Sequence, residues 1–115
     1  MGWRDRFGLR RARRGGKARF DRAAEDSDLQ ALIDFHGTRT GVEFYVEPET
    51  FATGTTAVAV ATDGEWIRRR VGSPDVIARV ARKLRAPVYD VHAVGYPQRM
   101  RDWTARNKRG LSMDE

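Results

Sequence analysis

The sequence predicts an α+β domain with the element order α-β-β-β-α-β-α. Three observations carry that reading. Val42 to Glu47, Thr55 to Thr62 and Glu65 to Val71 have strand patterns, and Asp63-Gly64 between the last two is a strong hairpin signal. Ser73-Pro74-Asp75 ahead of an apolar stripe marks a helix start. Pro87 then opens a fourth strand, and Gly95-Tyr96-Pro97 turns the chain toward a last helix. An antiparallel three-stranded meander, a fourth strand and segregated helices predict two layers, with the helices on one face.

Each element has a local reason. The first helix is expected over 28–36, with Ser27 as N-cap, Gln30 completing a capping box and Gly37 ending the run. Leu29, Leu32, Ile33 and Phe35 or His36 give it helical spacing. In the first strand Val42, Phe44 and Val46 face one way and Glu43, Tyr45 and Glu47 the other, until Pro48 stops it. The second strand is small or β-branched on both faces, which suits an inner strand. The third sets Ile67 and Val71 opposite Trp66, Arg68 and Arg70. The second helix buries Val76, Ile77, Val80, Ala81 and Leu84 and leaves Arg79, Arg82, Lys83 and Arg85 off that stripe. The fourth strand is expected over Val88 to Val94, and a short helix over 98–107 with Met100 and Trp103 as anchors.

The chain has 115 residues, one domain's worth. Residues 1–24 read as a basic, flexible arm, 25–109 as the domain and 110–115 as a disordered tail. No apolar run approaches the roughly 20 residues of a membrane span. No apolar stretch follows the charged start as in a signal peptide, so cytoplasmic residence is the expectation. There are no cysteines, which excludes disulfide scaffolds, thiolate metal sites and cysteine nucleophiles.

Charge is the most informative feature. Residues 1–22 hold nine basic residues against two acids, a net +7. Residues 23–66 hold one basic residue against nine acids, a net −8. Residues 67–109 hold twelve basic residues against three acids, a net +9, and Asp114 and Glu115 close the chain. The formal net charge is +6, but residues 23–115 alone sum to −1. Nineteen of the 22 basic residues are arginine, a bias that GC-rich codon usage alone would produce.

Candidate chemistry follows from these patterns. Asp90 and His92 fall on one face of the expected fourth strand, where they would pair as a base and its orienter or as two metal ligands. Two residues specify little, and no third ligand lies near in sequence, so no metal or cofactor is expected. His36 reads as a favourable charge at a helix C-terminus. The glutamates of the first strand read as a solvated face, or one turned toward the molecule's own arginines. No glycine pattern cradles a nucleotide. Arg68 and Arg70 share a strand face with Trp66; Arg79, Arg82 and Lys83 share a helix flank; Arg99, Arg101, Arg106, Lys108 and Arg109 surround Tyr96 and Trp103. Basic residues interleaved with aromatics suit phosphate contact with base stacking on Trp66, Tyr96 and Trp103. Taken singly, each tryptophan reads as core. The −8 and +9 segments also suit internal charge pairing.

Tyr89-Asp90-Val91 and the run Val94-Gly95-Tyr96-Pro97-Gln98-Arg99-Met100-Arg101-Asp102-Trp103 resemble a family of small uncharacterised proteins of high-GC Gram-positive bacteria. The resemblance covers about half the chain, Gly41 to Trp103, and implies no activity. The order α-β-β-β-α is similar to a double-stranded-RNA-binding domain, and the hairpin-then-helix portion resembles ribosome hibernation factors; both are likenesses of fold alone.

The expectation is a non-enzymatic nucleic-acid-associated protein, binding RNA or the ribosome. Arg10, Arg11, Arg13, Arg14 and Lys17 would supply non-specific affinity, and Arg68, Arg70, Arg79, Arg82, Lys83, Arg99, Arg101, Arg106 and Lys108 the folded surface. A second reading is an adaptor whose Trp3, Phe7 and neighbouring arginines meet an acidic protein or an anionic membrane. A third is a small enzyme using Asp90 and His92. The pattern points to no particular oligomeric state.

Overall fold

A computed structural model describes residues 26–51 and 54–114, with side chains as far as Lys108. The elements are α1 (Asp26–Thr38), β1 (Glu43–Thr50), β2 (Gly54–Val60), β3 (Trp66–Arg70), α2 (Pro74–Leu84), β4 (Val88–Asp90), α3 (Val91–Val94) and α4 (Gln98–Asp114). The basic run from Arg10 to Lys17, and Trp3 and Phe7, lie outside the described residues. The sheet has the strand order β3-β2-β1-β4. β1, β2 and β3 form the expected antiparallel meander, and β4 joins β1 in parallel, pairing Phe44, Tyr45 and Val46 with Val88, Tyr89 and Asp90.

The small residues of β2 explain how the sheet is covered. Ala57 and Ala59 let α1 and α2 approach one face, where Leu29, Leu32 and Phe35 meet Phe44, Val76, Ile77 and Val80. Burying each large side chain in that cluster contributes about 1.5–3 kcal/mol. The opposite face carries Tyr45, Val58 and Val60, and Met100 of α4 packs there with Trp66, Val91 and Tyr96 beside it. Helices therefore cover both faces of the sheet, which corrects the expectation of helices on one face. The strand alternation that exposes Phe44 to α1 presents Tyr45 to α4, and both residues are buried.

Four local expectations change. Asp26 and Ser27 are both helical, so Ser27 lies inside α1 rather than capping it, and the helix passes Gly37 to end at Thr38, whose hydroxyl donates to the Asp34 carbonyl at 2.9 Å. β1 continues through Pro48 to Thr50. β4 pairs β1 only as far as Val46, and the β1–β2 register shifts between Glu47 and Thr50, so the missing N–H of Pro48 falls where the ladder is irregular. The fourth strand stops at Asp90, because the Asp90 side chain accepts the His92 backbone N–H at 2.9 Å and caps α3. α4 runs past 107 to Asp114.

α2 ends in a Schellman arrangement: the Ala86 N–H donates to the Ala81 carbonyl at 2.9 Å and the Arg85 N–H to the Arg82 carbonyl at 3.2 Å. Arg85 takes the left-handed conformation that motif requires, at φ 58° and ψ 38°. Every other described residue with positive φ is a glycine. A side chain in this conformation costs about 1 kcal/mol relative to glycine.

Gly64 sits at φ 97° under α4. A Cβ there would strike the Arg99 carbonyl and come within 2.9 Å of the Trp103 Cβ. Gly64→Ala is expected to cost about 2 kcal/mol in urea unfolding. Gly37→Ala, with nothing within 4 Å of the added Cβ, is expected to stabilise by about 0.5 kcal/mol. Equal effects of the two substitutions would contradict this docking of α4.

Candidate nucleic-acid interface

The side of β1 that faces α4 carries Glu43, Tyr45 and Glu47 at strand spacing. Glu47 is only 8% exposed. Arg68 of β3 grips both its oxygens, Nε to Oε1 and Nη2 to Oε2, each at 2.8 Å. The Thr56 hydroxyl of β2 donates to Oε1 at 2.6 Å, and the Tyr96 hydroxyl donates to Oε2. Glu43 forms a parallel set. Arg99 donates from Nη2 to its Oε1 at 2.8 Å and from Nε to the Ala61 carbonyl at 2.9 Å, while the Tyr45 hydroxyl donates to the same Glu43 oxygen at 2.8 Å. The two glutamates thus face the molecule's own arginines, and Glu47 is buried instead of solvated.

These contacts set the ionisation. Burial pushes the Glu47 carboxyl up, but hydrogen bonds from Arg68, Thr56 and Tyr96 together outweigh it and hold the group below the usual carboxylate range. Glu43 behaves alike: burial raises it, and bonds from Arg99 and Tyr45 bring it below its ordinary value. Burial and then the Glu43 hydrogen bond push the Tyr45 phenol up to about 12. Burial and the Glu47 bond raise Tyr96.

The expected binding residues separate into three groups. Arg68 and Arg99 are committed to Glu47 and Glu43. Trp66 and Trp103 are half-buried; the Trp66 indole N–H donates to the Thr104 hydroxyl at 2.7 Å, and Arg68 lies over the ring at 5.1 Å. Tyr96 is half-buried with its hydroxyl on Glu47. The Trp66 and Tyr96 rings pack or hydrogen-bond between the sheet and α4. The exposed basic residues form two sets on opposite sides of the sheet. Arg79, Arg82, Lys83 and Arg85 lie on α2 and its end; Arg70, Arg101, Arg106 and Lys108 lie on β3 and α4. Arg101 donates to the Tyr96 carbonyl at 3.1 Å and Arg106 to the Asp63 carbonyl at 3.4 Å, and neither is in an ion pair among the described residues.

Asp90 and His92 do not form the strand-face pair expected of them. Both are exposed, and Asp90 serves as the cap of α3. Among the described residues no group of three or more His, Asp or Glu side chains is placed to hold a metal, and no helix is long and apolar enough to cross a membrane. His36 lies in the last turn of α1 and stacks on Phe44 with ring centroids 6.3 Å apart. Sequence reasoning missed the Glu47–Tyr96 contact, which joins residues 49 apart. It also passed over Arg85 as a site residue, although a helix ending before Ala86-Pro87 with no glycine was a usable signal. No protein-family model, curated protein or solved structure matches the chain.

The lowered Glu43 and Glu47 carboxyls stabilise the fold above the unfolded carboxyl range, about 4.3, and that contribution is lost as pH falls through their folded values. The raised phenols act in the opposite direction: their contribution is complete below about 10 and is lost as pH rises toward the folded values. Glu47→Gln is expected to cost about 2 kcal/mol near neutral pH, mostly through donors left poorly satisfied, because the Arg68 side chain is 45% exposed and its charge is screened. Urea unfolding across pH checks this. The penalty should shrink in acid, and an equal penalty at all pH values would contradict the assignment.

Proposed function

We infer that the protein is a non-enzymatic, nucleic-acid-associated protein that holds RNA, free or in the ribosome, through its phosphate backbone. One observation carries the reading. The arginines that have close acidic partners point inward or across the fold, and a second population of basic side chains stays exposed on α2 and α4. Exposed Arg and Lys release condensed counterions when they meet phosphates, and this supplies sequence-independent affinity. The basic run Arg10, Arg11, Arg13, Arg14 and Lys17 adds to the same term.

The structure shifts the emphasis within that reading. Trp66 and Tyr96 are engaged between the sheet and α4 and Trp103 is half-buried, so phosphate contact and not base stacking is the expected mode. Affinity should therefore depend weakly on sequence and strongly on salt. The test is an anisotropy titration of a mixed-sequence RNA with the full chain at about 50 mM and about 200 mM salt. The expected weakening is about a hundredfold, the fall for about four phosphate contacts. Absence of binding, or affinity indifferent to salt, would overturn the reading. Binding to anionic vesicles but not to RNA would replace it with the membrane-surface reading.

A further inference from the structure

The end of α2 combines two features that local stability does not account for together. The first is density of charge: Arg82, Lys83 and Arg85 fall within four residues, all exposed. Ion pairs in the described region engage Arg39, Arg68, Arg69 and Arg99, and none engages Arg82, Lys83 or Arg85. The second is Arg85 itself, the one non-glycine among the described residues at positive φ.

Complementing the helix dipole explains Arg82 and Lys83, which lie in the last turn. It does not explain Arg85. The Schellman hydrogen bonds need only a left-handed residue there, and glycine would supply it at lower cost. At its other described positive-φ positions, Gly41, Gly54, Gly64, Gly72 and Gly95, the chain uses glycine. Strain kept at an exposed, charged position points to a use for the side chain.

The surroundings define the partner. The apolar residues Val76, Ile77, Val80 and Ala81 of α2 are buried, Leu84 is half-buried against the same core, and none of the exposed large hydrophobic residues, Phe51, Val88, Tyr89 and Val94, lies on α2. A helix that rests on a membrane needs apolar side chains beside its basic ones. Three exposed cations with no exposed large apolar or aromatic side chain on the helix suit a phosphodiester backbone, and Arg suits its oxygens by bidentate donation.

We propose that the C-terminal end of α2 is a phosphodiester-binding site, formed by Arg82, Lys83 and Arg85, for which Arg85 keeps its left-handed position. The proposal rests on the nucleic-acid reading and assigns its principal folded contact surface. It belongs to the α2 side of the sheet, away from Trp66, Tyr96 and Trp103.

The experiment compares the full chain with Arg85→Gly, Arg85→Lys and the double variant Arg82→Gln/Lys83→Gln. Each is followed by thermal unfolding and by titration of a mixed-sequence RNA across salt. Arg85→Gly is expected to raise Tm by about 4 °C and to weaken RNA binding about fivefold, with the salt slope smaller by about one. Arg85→Lys should keep most of the affinity, and the double variant should lower the slope by about two. Salt-dependent RNA binding by the full chain that all these variants share unchanged would overturn the site and leave the nucleic-acid reading standing. A fall in Tm for Arg85→Gly would remove the strain on which the proposal depends and overturn it. Variants that lose anionic-vesicle binding while RNA binding is unchanged would overturn it in favour of a membrane surface. A full chain that binds no RNA would overturn both.

Discussion

The Glu47 carboxylate draws its donors from three separate stretches of chain: Thr56 on β2, Arg68 on β3 and Tyr96 ahead of α4. Removing a carboxylate from water costs several kcal/mol, and such a group persists only where its oxygens are fully engaged. Four hydrogen bonds meet that condition. They also constrain geometry, because Arg68 must approach in the plane of the carboxylate and Tyr96 must arrive from outside the sheet. The Glu43–Arg99–Ala61 set repeats the arrangement two turns of the pleat away and ties the first turn of α4 to the β2 end. With Met100 as the one buried hydrophobic residue among the described side chains of α4, these polar contacts do much of the positioning of that helix.

This constraint also sorts the charge. The acidic middle segment and the basic C-terminal segment are brought together across the fold by Arg68–Glu47, Arg69–Asp28 and Arg99–Glu43. Arginines used in this way are structural, and their aromatic neighbours are packing partners. The exposed basic residues without a close acidic partner on the described α4 side, Arg70, Arg101, Arg106 and Lys108, lie across the sheet from those of α2. A near-neutral folded part therefore coexists with locally positive surfaces.

Elements defined by local chemistry were legible in the sequence. Pro74 and the Val76, Ile77, Val80, Ala81 stripe specify α2, and Asp63-Gly64 specifies the β2–β3 turn. Leu29, Leu32 and Phe35 reach the core as their spacing requires. Features that depend on tertiary partners were not legible. The patterns of β1 and β2 are compatible with a helix on either face, so the covering of Tyr45, Val58 and Val60 by α4 has no local signature. Asp90-Val91-His92 fits both a strand and a capped turn, and one hydrogen bond to the His92 N–H decides between them. The site followed the same rule: the exposed basic residues of α2 were readable from helical period, whereas the internal engagement of Arg68 and Arg99 depends on Glu47 and Glu43, 21 and 56 residues away.

The central claim is that the buried Glu47 carboxylate couples the sheet to the segment leading into α4. A double-mutant cycle on Glu47→Gln and Tyr96→Phe, read by urea unfolding near neutral pH, tests it most directly. The two changes should be strongly non-additive, with a coupling of about 1 kcal/mol or more, and Tyr96→Phe should cost little once the charge is gone. Additive penalties would show that Glu47 and Tyr96 act independently and would contradict the account.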